Sequence, residues 1–194
     1  AVIKIDGDRL PTAACVVENA KRLGSYARLV QEAGMVPMVE PEVLYDGTHS
    51  RIRSRAVIED TLAALFAALR DQAVDLSALI LKTSMALSGK ETGRIDTPEE
   101  VAEDTLAALL KEVPADVAGI VFLSGGQGAQ QATENLRAIT KRAREQGAPW
   151  PLTFSYARTL QEEALDAWAG KEENVPKARE AFLSRLKKVR AALS

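Results

Sequence analysis

The sequence predicts an α/β protein whose parallel sheet is assembled from repeated βα units. Three observations lead there. Short apolar runs recur along the chain, long stretches of helical periodicity separate them, and polar residues collect where the runs end. "AVIKI" at 1–5 opens the pattern, and a helix over 13–33 follows it. "MVPMVE" at 35–40 is the second strand, with a helix over 54–72 behind it. "ALILK" at 78–82 is the third. Its residues Ala78, Leu79, Ile80 and Leu81 read as buried on both faces, as strands are in parallel sheets covered by helices. The next helix, over 98–112, begins at Thr97 with Glu99 and Glu100 just inside, a capped start. "GIVFLS" at 119–124, a helix over 128–146, "PLTFSY" at 151–156 and two further helices complete the pattern.

Composition narrows the function. The chain has 194 residues, 46% hydrophobic and 27% charged, with a formal charge of -2, which suits one domain over 1–194 with a core of its own. There is neither a basic excess nor a run of aromatics interleaved with arginine, so no nucleic-acid or membrane partner is expected. With no leader-like stretch, no apolar run of spanning length and a single cysteine, Cys15, the expected compartment is a reducing cytoplasm. Cys15 falls at a helical position and reads as a small buried apolar residue. His49 is the only histidine, which excludes a metal site built on two or three imidazoles, and no G-x-S-x-G elbow supports a serine triad. The chemistry is expected to need no metal and no other cofactor.

The polar residues at the strand ends are Glu40 and Glu42, Lys82, Ser124 followed by Gly125 and Gly126, then Ser155, Tyr156 and Arg158. In closed barrels and in open parallel sheets alike, ligands bind at the carboxyl ends of the strands. Lys82 at the mouth of an apolar strand is suited to give up its proton. A neutral amine attacks a ketone to form a Schiff base, with Glu40 on the neighbouring strand placed for the proton transfers. A plain lysine–glutamate ion pair is the other reading of the same two residues. "LSGGQ" at 123–127 and "FSYAR" at 154–158 combine backbone N–H groups freed by glycine, hydroxyls and the planar fork of Arg158, a set suited to the phosphate of a sugar.

These strings resemble the class I fructose-bisphosphate aldolases. The similar segments are "LVQEAGMVPMVEPEVLYDG" at 29–47, "LILKTSM" at 79–85, "EVPADVAGIVFLSGGQ" at 112–127, "WPLTFSYARTLQ" at 150–161 and "ALDAWAGKEENV" at 164–175. The resemblance implies a TIM (β/α)8 barrel of which this chain supplies about five βα units, strands 4 to 8, the carboxyl-terminal part. It implies cleavage of a phosphorylated ketose through Lys82 as Schiff-base lysine, with Glu40 as the proton-transfer carboxylate and Glu42 as its companion. It also implies a substrate-binding set of Ser124, Gly125, Gly126, Ser155, Tyr156, Ala157 and Arg158.

Some positions depart from the family pattern. Thr83 and Ser84 stand where many members have proline and asparagine, and Ala157 stands in place of a glycine. The family's first three strands have no counterpart, and a segment F-A-K-W-R bearing another active-site lysine is expected directly before Ala1. Lys4 is not that lysine. The expected partners are therefore a phosphorylated sugar and either further copies of the chain or the missing amino-terminal portion. Other readings of the same residues are a different Schiff-base enzyme, such as a transaldolase or deoxyribose-phosphate aldolase, an inactive partial barrel serving assembly, and an open nucleotide-binding sheet.

Overall fold

The computed structural model describes residues 1–194. Six short strands and six α-helices alternate along the chain: β1 (Val2–Ile3), α1 (Ala13–Glu32), β2 (Met38–Val39), β3 (Glu42–Val43), α2 (Arg51–Asp71), β4 (Ile80–Thr83), α3 (Pro98–Glu112), β5 (Gly119–Phe122), α4 (Ala129–Glu145), β6 (Leu152–Phe154), α5 (Arg158–Trp168) and α6 (Val175–Arg190). All strand pairs are parallel, in one sheet ordered β2-β4-β5-β6 and a second pair β1-β3.

The two sheets meet at a proline. The predicted strand at 35–40 runs on to Val43 but is interrupted at Pro41, which has no N–H to donate and so cannot continue a ladder. Its first half pairs with β4, and Ile80 donates to the carbonyl of Pro37 (3.0 Å). Its second half pairs with β1, where Glu42 donates to the carbonyl of Ala1 (2.9 Å) and Leu44 to that of Ile3 (2.9 Å). The five expected strands are thus found in order, with the second split in two. They fill five positions of a sheet that closes with eight in the barrel family.

Helix ends follow local chemistry. The side chain of Thr12 accepts from the Cys15 N–H at the start of α1, and Ser50 caps α2 through the Arg53 N–H, which begins that helix three residues before the expected 54. Thr97 and Glu100 form a reciprocal capping box with Pro98 in the first turn of α3. No helix is long and apolar enough to cross a membrane. At the α2–α3 contact, Arg51 meets Asp96, Glu100 and Asp104, and Arg55 bridges Asp104 and Glu59.

Side chains alternate across a strand, so each strand has two faces. Leu79, Leu81, Ile120 and Phe122 join Leu62, Leu65, Phe66, Leu69, Leu109, Leu136 and Ile139 from the helices in one core of 32 buried residues. The opposite face carries Ile80 and Lys82, which are only half buried. The expectation that this strand is buried on both faces is therefore corrected: its helix side is closed, and its concave side is open.

Cys15 is a second correction, because it is exposed. The buried stripe of α1 is Val16, Ala20, Gly24 and Ala27, and Cys15 lies one residue, about 100° of rotation, off that stripe. Trp150 packs in the core and donates its indole N–H to the carbonyl of Pro114 (2.7 Å). Trp168 remains 41% exposed between α5 and α6.

Candidate active site

The register decides which side chains meet. Pairing of Met38 with Ile80 and of Val39 with Leu81 carries Glu40 alongside Lys82 on the concave face. The Lys82 Nζ lies 2.8 Å from the Glu40 Oε1, with the lysine side chain 18% exposed and the glutamate 39%. The contact has the geometry of a lysine–carboxylate ion pair, and the same separation is within reach of a proton transfer. Ser84, two residues on, donates through its Oγ to the Val43 carbonyl and accepts from the Val43 N–H, both at 2.9 Å. This buried hydroxyl takes the place of a ladder bond and holds the segment after β4 against β3. Nothing in the sequence signalled that role beyond the departure from the family residue.

Glu42 shares the rim. Burial pushes its carboxyl above the usual range and the negative charge of Glu40 adds to this, while Lys82, Arg158 and the amino terminus pull the other way. Glu42 thus binds a proton more readily when folded than when unfolded. Folding takes up that proton between the two pKa values, and the stability contributed by this group falls as pH rises through the window. Glu42→Gln should therefore gain stability over the parent at pH 7 relative to their difference at pH 4. Urea denaturation at both values checks this, and an unchanged difference would show that the raised carboxyl has no such effect.

The glycine turn after β5 faces Arg158. Gly125 (φ +58°) and Gly126 (φ +88°) both occupy the left-handed region, and Gln127 donates its N–H to the Ser124 carbonyl at 3.0 Å, as in a type I′ turn. Neither glycine N–H donates to a backbone carbonyl, so both are free for an anion. A Cβ on Gly126 would lie 3.3 Å from an Arg158 guanidinium nitrogen, which places the arginine directly over the turn. Ser155 donates its N–H to the Phe122 carbonyl (2.9 Å) and so keeps the end of β6 beside the turn. Ala157 caps the amino terminus of α5, whose first residue is Arg158.

Tyr156 points elsewhere. Its ring is buried and its hydroxyl donates to the Ala132 carbonyl in α4 (2.9 Å), and burial pushes the phenol well above its usual pKa. The side chain anchors β6 to α4, which corrects its placement among the ligand-facing groups. Around the same rim Lys90 pairs with Asp46; the hydrogen bond to Asp46 raises the lysine's pKa, the same bond lowers that of the carboxyl, and the charge of Arg158 reaches both. The members of this pair lie in different loops, 44 residues apart, and nothing local in the sequence links them.

Parallel strands backed by helices, with a lysine–carboxylate pair and an arginine-covered glycine turn at their carboxyl ends, define a (β/α)-barrel protein. The chain belongs to the class-I fructose-bisphosphate aldolase family, whose model, described as "Glycolytic: Fructose-bisphosphate aldolase class-I", matches residues 1–194. It is 48% identical over 187 residues to the cytosolic fructose-bisphosphate aldolase 4 of Arabidopsis thaliana, covering 96% of this chain and 47% of that one. With fructose-bisphosphate aldolase B of Gallus gallus it shares 46% identity over 185 residues, covering 95% and 50%. The crystallised fructose-bisphosphate aldolase of Plasmodium falciparum, in complex with TRAP and a small-molecule inhibitor, superimposes with a TM-score of 0.95 at 39% identity, covering 100% of this chain and 55% of that one. The chain spans about half the length of the curated relatives it matches.

Proposed function

We propose that this chain carries the Schiff-base half of a fructose-bisphosphate aldolase site and takes part in cleaving fructose 1,6-bisphosphate to glycerone phosphate and glyceraldehyde 3-phosphate. The observation that supports this most is the 2.8 Å contact between Lys82 and Glu40 on one open face. In this reading the deprotonated Lys82 amine adds to the ketone carbon. Glu40 passes protons to and from the carbinolamine until water leaves. The iminium then takes up the electron pair of the carbon–carbon bond one atom further along, as the hydroxyl on the departing carbon gives its proton to the carboxylate and becomes the aldehyde carbonyl. That proton afterwards returns to the enamine carbon, and water hydrolyses the imine, freeing the second triose and Lys82. The Gly125 and Gly126 N–H groups and the Arg158 guanidinium hold a phosphate, while Ser124, Ser155 and the backbone at Ala157 border it. The names of the cytosolic relatives support a cytosolic location, and the free edges of β1 and β6 support pairing with further copies or with additional barrel strands.

An assay of triose phosphate release tests the activity. The 194 residues expressed alone should release little or no triose phosphate, because five strand positions leave the site open to water, which weakens every charge contact within it. The rate should be unchanged by EDTA. Triose phosphate release that persists undiminished in Lys82→Ala would sink the reading, and so would activity lost to EDTA and restored by zinc.

A further inference from the structure

The glycine turn is held from behind by two buried side-chain amides. Gln127 is 6% exposed and Asn135, in the second turn of α4, is 0% exposed. The Gln127 Nε2 donates to the Ser124 carbonyl at 2.9 Å, and its Oε1 accepts from the Asn135 Nδ2 at 2.7 Å. The same Nε2 lies 3.6 Å from the Met85 Sδ, three residues beyond Lys82. The Ser124 carbonyl therefore receives both the backbone and the side-chain N–H of Gln127.

A Gly-Gly pair is the most permissive of all dipeptides, and nothing in its own chemistry keeps both residues at positive φ. The Asn135 Oδ1 is buried without a partner, so the hydrogen bonds that fix the Ser124–Gln127–Asn135 chain are those of the Gln127 amide, whose Nε2 and Oε1 are both engaged and would be costly to leave unpaired. Gln127 and Asn135 are too deeply enclosed to touch a ligand themselves.

We infer that Gln127 and Asn135 are positioning residues, which pre-set the Gly125 and Gly126 N–H groups for a phosphate ester and tie that turn to the segment after Lys82. This rests on the proposed anion-binding role of the turn. Pre-setting a loop removes an ordering cost that binding would otherwise carry, so its loss should appear as weaker phosphate binding beyond any loss of stability.

The test is titration of the 15N-labelled chain with inorganic phosphate, following the Gly125 and Gly126 amide signals. In the parent both signals should move saturably. Gln127→Met and Asn135→Leu should each raise the phosphate Kd about tenfold and speed hydrogen exchange at both glycines. Ile139→Val, which trims the α4 core, should lower the urea midpoint and leave the Kd unchanged. Gln127→Glu keeps the acceptor for Asn135 and loses the donor to Ser124; its Kd should also rise, which guards against a poorly folded Met variant. If the Gln127 variants lose stability as Ile139→Val does while their Kd stays within about twofold of the parent, the amides merely pack and the inference is overturned. If the parent signals do not respond to phosphate at all, the anion-binding reading of the turn fails, and this inference with it.

Discussion

Lys82→Ala is expected to abolish borohydride-dependent labelling of the chain by dihydroxyacetone phosphate. Borohydride reduces an iminium to a stable secondary amine, so the parent should gain the mass of one reduced triose phosphate, and peptide mapping should place it at Lys82. The reason for that lysine is positional. It stands on the open concave face at the carboxyl end of β4, beside an acceptor 2.8 Å away in Glu40, and the Arg158-covered glycine turn lies on the same rim. Lys82→Arg should be as inert as the alanine variant, since a guanidinium stays protonated at neutral pH and offers no free electron pair. Loss of a covalent nucleophile removes catalysis on the order of a thousandfold or more, with any residue coming from binding alone. Undiminished trapping in Lys82→Ala, or a label at another lysine, would refute the assignment.

Gly89→Ala should unfold the rim. Its backbone is ordinary (φ −55°), so the difficulty is space rather than conformation. A Cβ there would lie 2.2 Å from the Gly47 carbonyl oxygen, 2.6 Å from its carbon and 3.1 Å from the His49 nitrogen, all backbone atoms. Two loops are pressed together at this point, and they exchange bonds from Gly89 to the His49 carbonyl (2.8 Å) and from Glu91 to that of Gly47 (3.1 Å). Parting them breaks both bonds and moves the Asp46–Lys90 pair beside Arg158, so the loss of stability should be roughly 3 kcal/mol or more. Gly128→Ala is the control, because nothing lies within 4 Å of a Cβ there. It should change stability by less than about 1 kcal/mol. Urea denaturation of both variants checks this, and equal losses would show that the loop contact carries no special weight.

Most of the architecture was legible in the residues. The expected helices over 13–33, 98–112 and 128–146 match α1, α3 and α4 to within a residue at each end, because caps and a 3.6-residue repeat act over a few neighbours. The strand order could be followed because parallel units wind in sequence. Pro41 split one strand, and its missing N–H could have been read from the sequence. The lysine–carboxylate pair and the glycine turn were legible as residue types at strand ends. Gln127 follows the two glycines of "LSGGQ", and a glutamine there carries no signal in the sequence until its partner is known.

What the sequence determined by itself is therefore local: where helices begin and end, which runs become strands, and which polar residues stand at the strand ends. The tertiary structure decided which of these side chains meet. Glu40 reaches Lys82 through the register of β2 on β4; Tyr156 turns from the rim because a carbonyl of α4 lies within reach of its hydroxyl; Asn135, eight residues away and on another element, completes the turn at Gln127. Cys15 faces solvent for a related reason, since a helical stripe acquires an inside only from the elements packed against it. Periodicity and capping are set by forces that act within a few residues along the chain. Hydrogen-bond partnership and burial depend on atoms brought together from distant positions, and those distances exist only once the strands are in register and the helices have closed over one face of the sheet.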